Sequence, residues 1–414
     1  MRNKPCFHSR TWSVLAVTWL TLVGCGQPNN PAAPSGSAVT PTPVSSSPAA
    51  VPSDAECQQV ATEFVAKLKA GDPSAMNQFL DIDALMERVT TGIDADASFR
   101  MNFIKGAKQS GLSALGQQIT KAINEGGDYI YLRTHVTDGG KRVLFRLTLP
   151  GGGVNYHDML MERQSNGQTK AVDMYVLLSA ELISTTMRRA YLAGVAGQNR
   201  NLIERLTQGE SEFVRNLPLF LEITQATQAG QHQKSLDAYQ KLPDSLKRDK
   251  NFLMMRLQAA GNIGNDAVYQ ATMEDFVKYH PTDACIDMVS LDGLIIKKEY
   301  DKALAAIDRI DKAIGTDTYW EVMRGSVCVM AGRFPKAHEH LTAAELREPK
   351  SVELQWQFVS LSLQEQNFAD TSKRLTKLRD EFGMQFGDLT KLPDYATFVK
   401  SPEYRAWLAA APAR

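Results

Sequence analysis

Six polar residues whose side chains could bind a ligand or transfer protons lie between positions 133 and 173. They are Arg133, His135, Tyr156, His157, Asp158 and Asp173. Histidine and carboxylate side chains within hydrogen-bonding reach can act as general acid and base. His157 and Asp158 are adjacent, and neighbouring side chains of a strand face opposite sides, so these two cannot pair with each other. His157 could instead meet Asp173 across strands. The alternative is that all six are polar residues on the wet face of a half-buried sheet.

Other residue combinations give no reactive site. His338 and His340 are two positions apart, and on a helix their side chains would point about 200° apart, so they cannot share a metal ion. Gly151 to Gly153 follow a predicted strand and indicate a hairpin turn. Phosphate-binding loops, dinucleotide fingerprints and hydrolase or metalloprotease motifs are absent from the sequence. We therefore predict no metal, no cofactor and no catalytic residue.

Charge and cysteine content exclude further classes of function. The 46 basic residues balance 46 acidic ones, and no basic run occurs, so nucleic acid is not an expected partner. The chain has five cysteines. Cys57, Cys285 and Cys328 are widely spaced, which predicts buried thiols and argues against a disulfide framework or a zinc site.

The polar residues fall on four segments that alternate apolar and polar side chains at period two. These predicted strands are 129–137, 142–149, 154–163 and 171–179, and glycine-rich turns connect them. Four sequential strands with tight turns form an antiparallel meander. Residues 54–125 before them repeat apolar side chains every three to four positions and predict helices. Further helices are expected near 180–195 and 198–209.

This order of helices followed by a curved antiparallel sheet resembles the NTF2-like (nuclear transport factor 2-like) or cystatin-like α+β fold over residues 54–196. The resemblance rests on element order alone and implies a cone-shaped domain with a possible pocket. Five of the polar residues would line that pocket: Arg133, His135, Tyr156, His157 and Asp173.

The C-terminal half repeats with a period of 34 residues, in segments that start at 216, 250, 284, 318 and 352. Position 15 of each segment reads Gly230, Gly264, Lys298, Gly332 and Gln366. Position 24 reads Tyr239, Met273, Ile307, Leu341 and Leu375. The pattern resembles the tetratricopeptide repeat, which implies five helical hairpins over 216–385 stacked as an all-α solenoid. Residues 197–215 are then a helical connector and 386–414 a capping helix, with Ser401 as N-cap and Tyr404 and Trp407 covering the exposed end.

Tetratricopeptide arrays commonly bind peptides in a groove lined by the first helix of each hairpin. The resemblance places position 5 in that groove, namely Phe220, Met254, Met288, Val322 and Trp356. The Asn, Lys and Arg set that grips a C-terminal carboxylate in some members is missing, so a groove ligand is expected to be apolar or mixed. The alternative is that these side chains pack between repeats.

The N-terminus indicates where the protein acts. Arg2, Lys4 and Arg10 precede an apolar run at 11–24 that is too short to span a bilayer, as in a secretory signal. The run ends Leu22-Val23-Gly24-Cys25, which resembles the lipobox of bacterial lipoproteins and implies cleavage of residues 1–24 and lipidation of Cys25. Residues 25–53 continue as a tether rich in Pro, Ser and Ala. Gly26 follows the cysteine where an inner-membrane retention signal would have Asp, which implies an outer-membrane protein facing the periplasm.

These features together predict a lipid-anchored cell-envelope protein that binds a protein or peptide partner through its repeats, in an adaptor or assembly role. The alternative is a small-molecule-binding protein or enzyme that uses the conical pocket of the N-terminal domain.

Overall fold

The computed structural model describes residues 51–150, 152–196, 206–281 and 283–410, except the side chains of 110–112. The chain divides into two compact units, one ending at Asp283 and the other starting at Ala284. In the described part, the first unit holds helices and an antiparallel sheet followed by further helices, and the second unit is helical. The unit boundary therefore falls inside the predicted repeat range. The predicted signal peptide, Cys25 and most of the predicted tether lie outside the described residues.

Helices precede the sheet, as the sequence predicts. They are α1 (Asp54–Lys69), α2 (Ala75–Phe79), α3 (Ile82–Thr90), α4 (Ala97–Gly106) and α5 (Leu112–Asn124), with a π-helical turn at Ala107–Gly111. A capping box fixes the start of α1: the Ser53 hydroxyl accepts the Glu56 N–H at 3.2 Å, and the Glu56 carboxylate accepts the Ser53 N–H at 2.7 Å.

The predicted antiparallel meander is present and gains a short fifth strand. Its strands are β1 (Asp128–Thr137), β2 (Gly140–Thr148), β3 (Val154–Arg163), β4 (Thr169–Val176) and β5 (Glu181–Leu182), paired in sequential order. The fourth strand was predicted to reach Ser179 but ends at Val176. Leu177–Ser179 forms a 3-10 turn instead, and Ala180 adopts a left-handed conformation with φ of 53°. This reversal directs the chain into β5.

One face of the sheet carries the core of the first unit. The Phe64 ring of α1 stacks on Phe79 of α2 at 4.3 Å and meets Phe145 and Tyr129 of the sheet edge-on at 5.6 and 6.0 Å. Aromatic rings bury large apolar areas, and such offset and edge-to-face pairs add stability beyond that burial. The helix-facing side of the sheet is thereby filled with side chains.

Two helices follow the sheet, α6 (Ile183–Ala196) and α7 (Gln208–Arg215). Most of the helix predicted near 198–209 lies outside the described residues. α7 starts at a second capping box between Thr207 and Glu210.

The rest of the described chain forms paired helices with short connections. In the first unit these are α8 (Leu217–Gln228) with α9 (His232–Gln240), a single turn α10 (Asp244–Lys247), and α11 (Lys250–Asn262) with α12 (Asp266–Tyr279). In the second unit they are α13 (Ala284–Ile296) with α14 (Tyr300–Ile314), α15 (Thr318–Met330) with α16 (Phe334–Arg347), and α17 (Val352–Gln364) with α18 (Phe368–Asp380). The second helix of each pair starts 34 residues after the previous one.

The connection inside every pair has the same backbone geometry. The residue at position 15 is left-handed in all five pairs, with φ of 69° at Gly230, 66° at Gly264, 59° at Lys298, 68° at Gly332 and 55° at Gln366. Each turn also repeats one hydrogen bond, from the N–H of position 16 to the carbonyl of position 11. The five bonds, 2.8 to 2.9 Å long, are Gln231–Ala226, Asn265–Ala260, Glu299–Leu294, Arg333–Cys328 and Asn367–Ser362. The left-handed state favours glycine, yet lysine and glutamine adopt it here to keep the turn.

Helices α15 and α16 approach closely at Gly325. A methyl group at Gly325 would lie 2.5 Å from Leu341 Cδ2 and 3.6 Å from the Ala337 carbonyl oxygen. Ala337 and Leu341 are fully buried. Gly325 at position 8 and Ala337 at position 20 therefore set the spacing of these two helices.

The pair α11–α12 departs from this arrangement. Position 20 holds Tyr269, which is half-buried, and its ring lies beside Gly261. Thr272 and Phe276 are the buried side chains of α12. The buried face of α12 therefore begins later along the helix than that of α16.

Aromatic residues cover the end of the second unit. After three 3-10 turns, α19 (Pro402–Ala409) starts at Ser401, whose hydroxyl accepts the Tyr404 N–H at 3.1 Å. Tyr404 and Trp407 pack with Tyr395 and Phe398 against the buried residues of α17 and α18. The predicted cap is present.

Candidate functional site

The strand register separates the predicted polar residues onto two faces of the sheet. Arg133 pairs with Leu144, which pairs with Asp158, and His135 pairs with Arg142, so these rows share one face. Tyr156 and Asp173 lie in rows of the same face. His157 pairs with Phe145 in a row of the opposite, helix-covered face. Four of the five predicted pocket residues thus share a face, and His157 does not.

The centre of the shared face is a three-residue cluster, His135–Asp158–Arg142. Nε2 of His135 lies 2.8 Å from one oxygen of Asp158, and Nε of Arg142 donates to the other oxygen at 2.6 Å. The side chain of His135 is 33% exposed, whereas those of Asp158 and Arg142 are 18% and 10% exposed. A carboxylate in this position orients the imidazole ring, and an imidazole oriented in this way is the arrangement that general-base catalysis uses. Here the guanidinium shares the same carboxylate, so the cluster also ties three strands together.

The sequence identifies His135 and Asp158 as candidates but does not show that they meet, and Arg142 is not among the candidates. The sequence does contain part of the information needed to find Arg142. Once the hairpin turn between β1 and β2 is located, counting back from the turn places Arg142 opposite His135. The bulge between Tyr131 and Arg133 changes the register and was not visible in the sequence.

His157 belongs to the aromatic core. Its ring is fully buried, and Nδ1 lies 3.2 Å from the Tyr129 hydroxyl. Burial lowers the pKa of His157 to about 3, so the imidazole stays neutral at physiological pH. A neutral side chain without solvent access has a structural role here.

Asp173 caps a helix. Its carboxylate accepts the Ser184 hydroxyl at 2.6 Å and the N–H groups of Ser184 and Met174 at 3.2 and 2.8 Å. Ser184 lies in the first turn of α6, where a carboxylate satisfies free N–H groups and the helix dipole. On β3, Asp173 pairs with Leu160 and not with His157, which pairs with Val176. The predicted contact between His157 and Asp173 is wrong for this reason.

The predicted groove residues at position 5 are buried or half-buried. Met254 and Val322 are 8% and 5% exposed. The Phe220 ring packs on Phe213 at 5.1 Å, and Trp356 packs on Phe386 at 5.9 Å. Met288 is half-buried. These contacts favour the alternative in which position 5 packs inside the helical layer.

The two neighbouring histidines of α16 bind separate acidic residues. His338 lies 2.9 Å from Glu365, and His340 lies 2.9 Å from Glu321. Across the described residues, no group of three or more His, Cys, Asp or Glu side chains is arranged to hold a metal ion.

The three cysteines of the folded units are buried thiols, as predicted. Burial raises the pKa of Cys57 to about 11 and also raises the pKa of Cys328. Both thiols stay protonated, whereas nucleophilic cysteines need the thiolate.

Acidic residues join successive helix pairs of the second unit. The Glu345 carboxylate of α16 accepts hydrogen bonds from Arg374 at 2.7 Å and from Lys377 at 2.9 Å, and both donors lie on α18. Burial raises the pKa of Glu345, but hydrogen bonds from Lys377, Gln355 and Arg374 outweigh burial and bring it to about 2. In the same way Arg324 of α15 donates to Asp308 and Asp311 of α14, at 2.9 and 3.0 Å. These ion pairs fix how neighbouring pairs pack.

Among the helices of the described ranges, none has the length and apolar character needed to cross a bilayer. Comparison of the chain with protein-family models gives no match, and comparison with curated proteins gives none either.

Proposed function

We propose that the paired helices are tetratricopeptide repeats and that the protein is an adaptor or assembly factor that binds a protein or peptide partner through them. The observation that carries this proposal is the left-handed turn that recurs at Gly230, Gly264, Lys298, Gly332 and Gln366. Each hairpin buries little surface alone and needs a neighbour, and such arrays present extended surfaces to partners.

The sheet domain gives less support to the rival function. On its helix-covered face, the rings of Phe64, Phe79, Phe145 and Tyr129 pack on one another, so that side of the sheet is filled. His157 and Asp173 are committed to the core and to a helix cap. We propose an NTF2-like cone for the shape of this domain, with a supporting role and without a catalytic one.

The lipobox supports a lipid anchor at Cys25 in the cell envelope. Two or three acyl chains would hold the protein on the membrane essentially permanently, because each buried CH₂ contributes about 0.8 kcal/mol. Cys25→Ser should prevent palmitate labelling, and the variant should be soluble or keep its signal peptide. The control variant Cys57→Ser should label normally. A wild-type protein that incorporates no palmitate would contradict the anchor.

Partner binding is testable with a photoreactive amino acid at exposed positions. Ile296 and Met330 end the first helices α13 and α15 and are 71% and 36% exposed. Leu346, on the second helix α16, is 82% exposed and is the matched control. We expect a discrete cross-linked partner from positions 296 and 330 in intact cells and none from 346. Absence of cross-links from both test positions, or the same products from 346, would refute recognition through the first helices.

A further inference from the structure

A cleft of about 250 Å³ lies in the first unit among α9, α10, α11 and α12. Two tyrosine rings, Tyr239 and Tyr279, line it together with cationic side chains. The Arg256 guanidinium lies over the Tyr239 ring, 5.2 Å from its centroid, and Arg248 lies 5.0 Å from the centroid of Tyr279. Such cation–π contacts hold the positive charges in place beside the cleft.

The cleft has more hydrogen-bond donors than its own acceptors satisfy. Arg256 donates from Nη1 to Asp275 at 2.9 Å, but its buried Nε finds no acceptor among the described residues. Lys247 and Arg248 also line the cleft, and neither forms an ion pair among the described residues. Burial raises the pKa of Tyr239 to about 12 although Arg256 opposes it, so the phenol stays protonated. Its hydroxyl donates to the Lys247 carbonyl at 2.8 Å, which keeps the Lys247 backbone beside the cleft.

The charge of the lining suits a single negative charge. Lys247, Arg248 and Arg256 contribute three positive charges, and Asp244 and Asp275 two negative ones, which leaves a net charge of +1. A carboxylate balances this charge, whereas a phosphate dianion exceeds it. Arginine forks match carboxylate geometry, and the Tyr279 ring offers an apolar surface beside them.

A second cleft serves as a comparison because the charges of its lining balance. It has a volume of about 380 Å³ and lies in the second unit around Glu345, Arg374 and Lys377. Three cationic and three acidic side chains line it, so the net charge of its lining is zero. Arg374 and Lys377 both donate to Glu345, and Arg374 also lies 3.7 Å from the centroid of Phe358. The first cleft differs because its lining carries a net positive charge.

We propose that the cleft between Tyr239 and Tyr279 binds a carboxylate of an acidic peptide segment, with Lys247 and Arg248 as the principal ligands. This inference rests on the proposed function and adds to it a contact with the partner. The cleft is built from α9, α10, α12 and Arg256, and it does not include the position 5 residues of the first helices.

The test measures fluorescence anisotropy of a short labelled peptide of alternating glutamate and alanine with the full chain at low ionic strength. The control peptide has glutamine for glutamate. The double variant Lys247→Gln/Arg248→Gln removes the two available cations. The pair Arg215→Gln/Lys234→Gln removes the same charges at two exposed positions outside the cleft. The substituted side chains are not part of the buried core, and circular dichroism verifies the fold of each variant.

We expect the glutamate peptide to bind the wild type more tightly than the glutamine peptide. Its Kd should rise about tenfold or more in the Lys247/Arg248 variant and less than about twofold in the control pair. Equal weakening in both variants would indicate nonspecific attraction and overturn the site, as would equal affinity for the two peptides or no binding. Displacement of the peptide by inorganic phosphate at concentrations where free glutamate is inert would assign the cleft to phosphate and overturn the peptide proposal. Partner cross-linking from positions 296 and 330 that survives in a chain with no peptide binding would refute this inference and leave the proposed function standing.

Discussion

The close crossing of α15 and α16 at Gly325 gives a sharp test of the fold. Ala337 is fully buried in a cluster that joins α15, α16 and α17 and includes Leu341, Leu354 and Phe358. Its carbonyl oxygen and the Leu341 side chain lie so near Gly325 that a single methyl group there would already overlap Leu341. Ala337→Leu adds three carbon atoms at this crossing. Overpacking of this kind costs about 1–3 kcal/mol of unfolding free energy. For a unit of this size that corresponds to a lower Tm by roughly 4–12 °C.

Hydrogen exchange measured by mass spectrometry locates the damage. Because the cluster is contained in the second unit, amides in 284–410 should lose protection, and amides of the sheet at 128–176 should keep it. The exposed neighbour Glu339→Gln is the control and should change stability by less than about 0.5 kcal/mol. Equal loss of protection in the sheet, or an unchanged Tm in the leucine variant, would refute the packing described for α15 and α16.

Three further predictions concern charge and backbone strain. The folded pKa of His157, about 3, is below that of an unfolded histidine, so the unfolded state binds the proton first and stability falls as pH drops from about 6.5 towards 3. In urea unfolding, His157→Gln should reduce the slope of stability against pH by up to about 1.4 kcal/mol per pH unit. An unchanged slope would contradict a buried neutral imidazole. The lowered pKa of Glu345, about 2, gives a contribution to folding stability that is full above about pH 4.5 and is lost as pH falls towards 2. Glu345→Gln should therefore cost about 1–2 kcal/mol of unfolding free energy at pH 7 and almost nothing at pH 2. An equal cost at both pH values would rule out the charge as the cause. Lys298 and Gln366 are exposed and hold a left-handed backbone conformation that glycine adopts without strain. Lys298→Gly and Gln366→Gly should therefore each stabilise the fold by about 0.5–1 kcal/mol, whereas Gly332→Ala should destabilise it by about 1 kcal/mol. Loss of stability in both glycine variants would argue against strain at these turns.

Much of the architecture follows from periodicity in the sequence. Alternation at period two located the four strands within a few residues, because side chains alternate between the two faces of the sheet and glycine-rich turns mark the strand ends. The 34-residue spacing placed the paired helices, since the same turn geometry recurs even where Lys298 and Gln366 replace glycine. The end of β4 was missed because the reversal at Ala180 uses a residue that normally avoids the left-handed state.

The side-chain networks were harder to predict because they depend on register and on three-dimensional neighbours. Alternation alone separates His157 from Asp158, but it does not say which of them joins Arg142. The cleft at Tyr239 and Tyr279 combines residues from four helices, and Arg256 meets Tyr239 only after two hairpins have packed. No local spacing marks such a cluster.

The three buried thiols make this protein its own reporter of local opening. Cys57 lies in the first unit, Cys285 and Cys328 lie in the second, and all three are fully shielded from solvent. A thiol reagent can therefore modify each site only when the surrounding helices separate. Labelling rates at Cys57 and Cys328, followed by mass spectrometry without any engineered residue, give the opening free energy of each unit separately. The unaltered protein then shows whether the two units unfold together or one at a time.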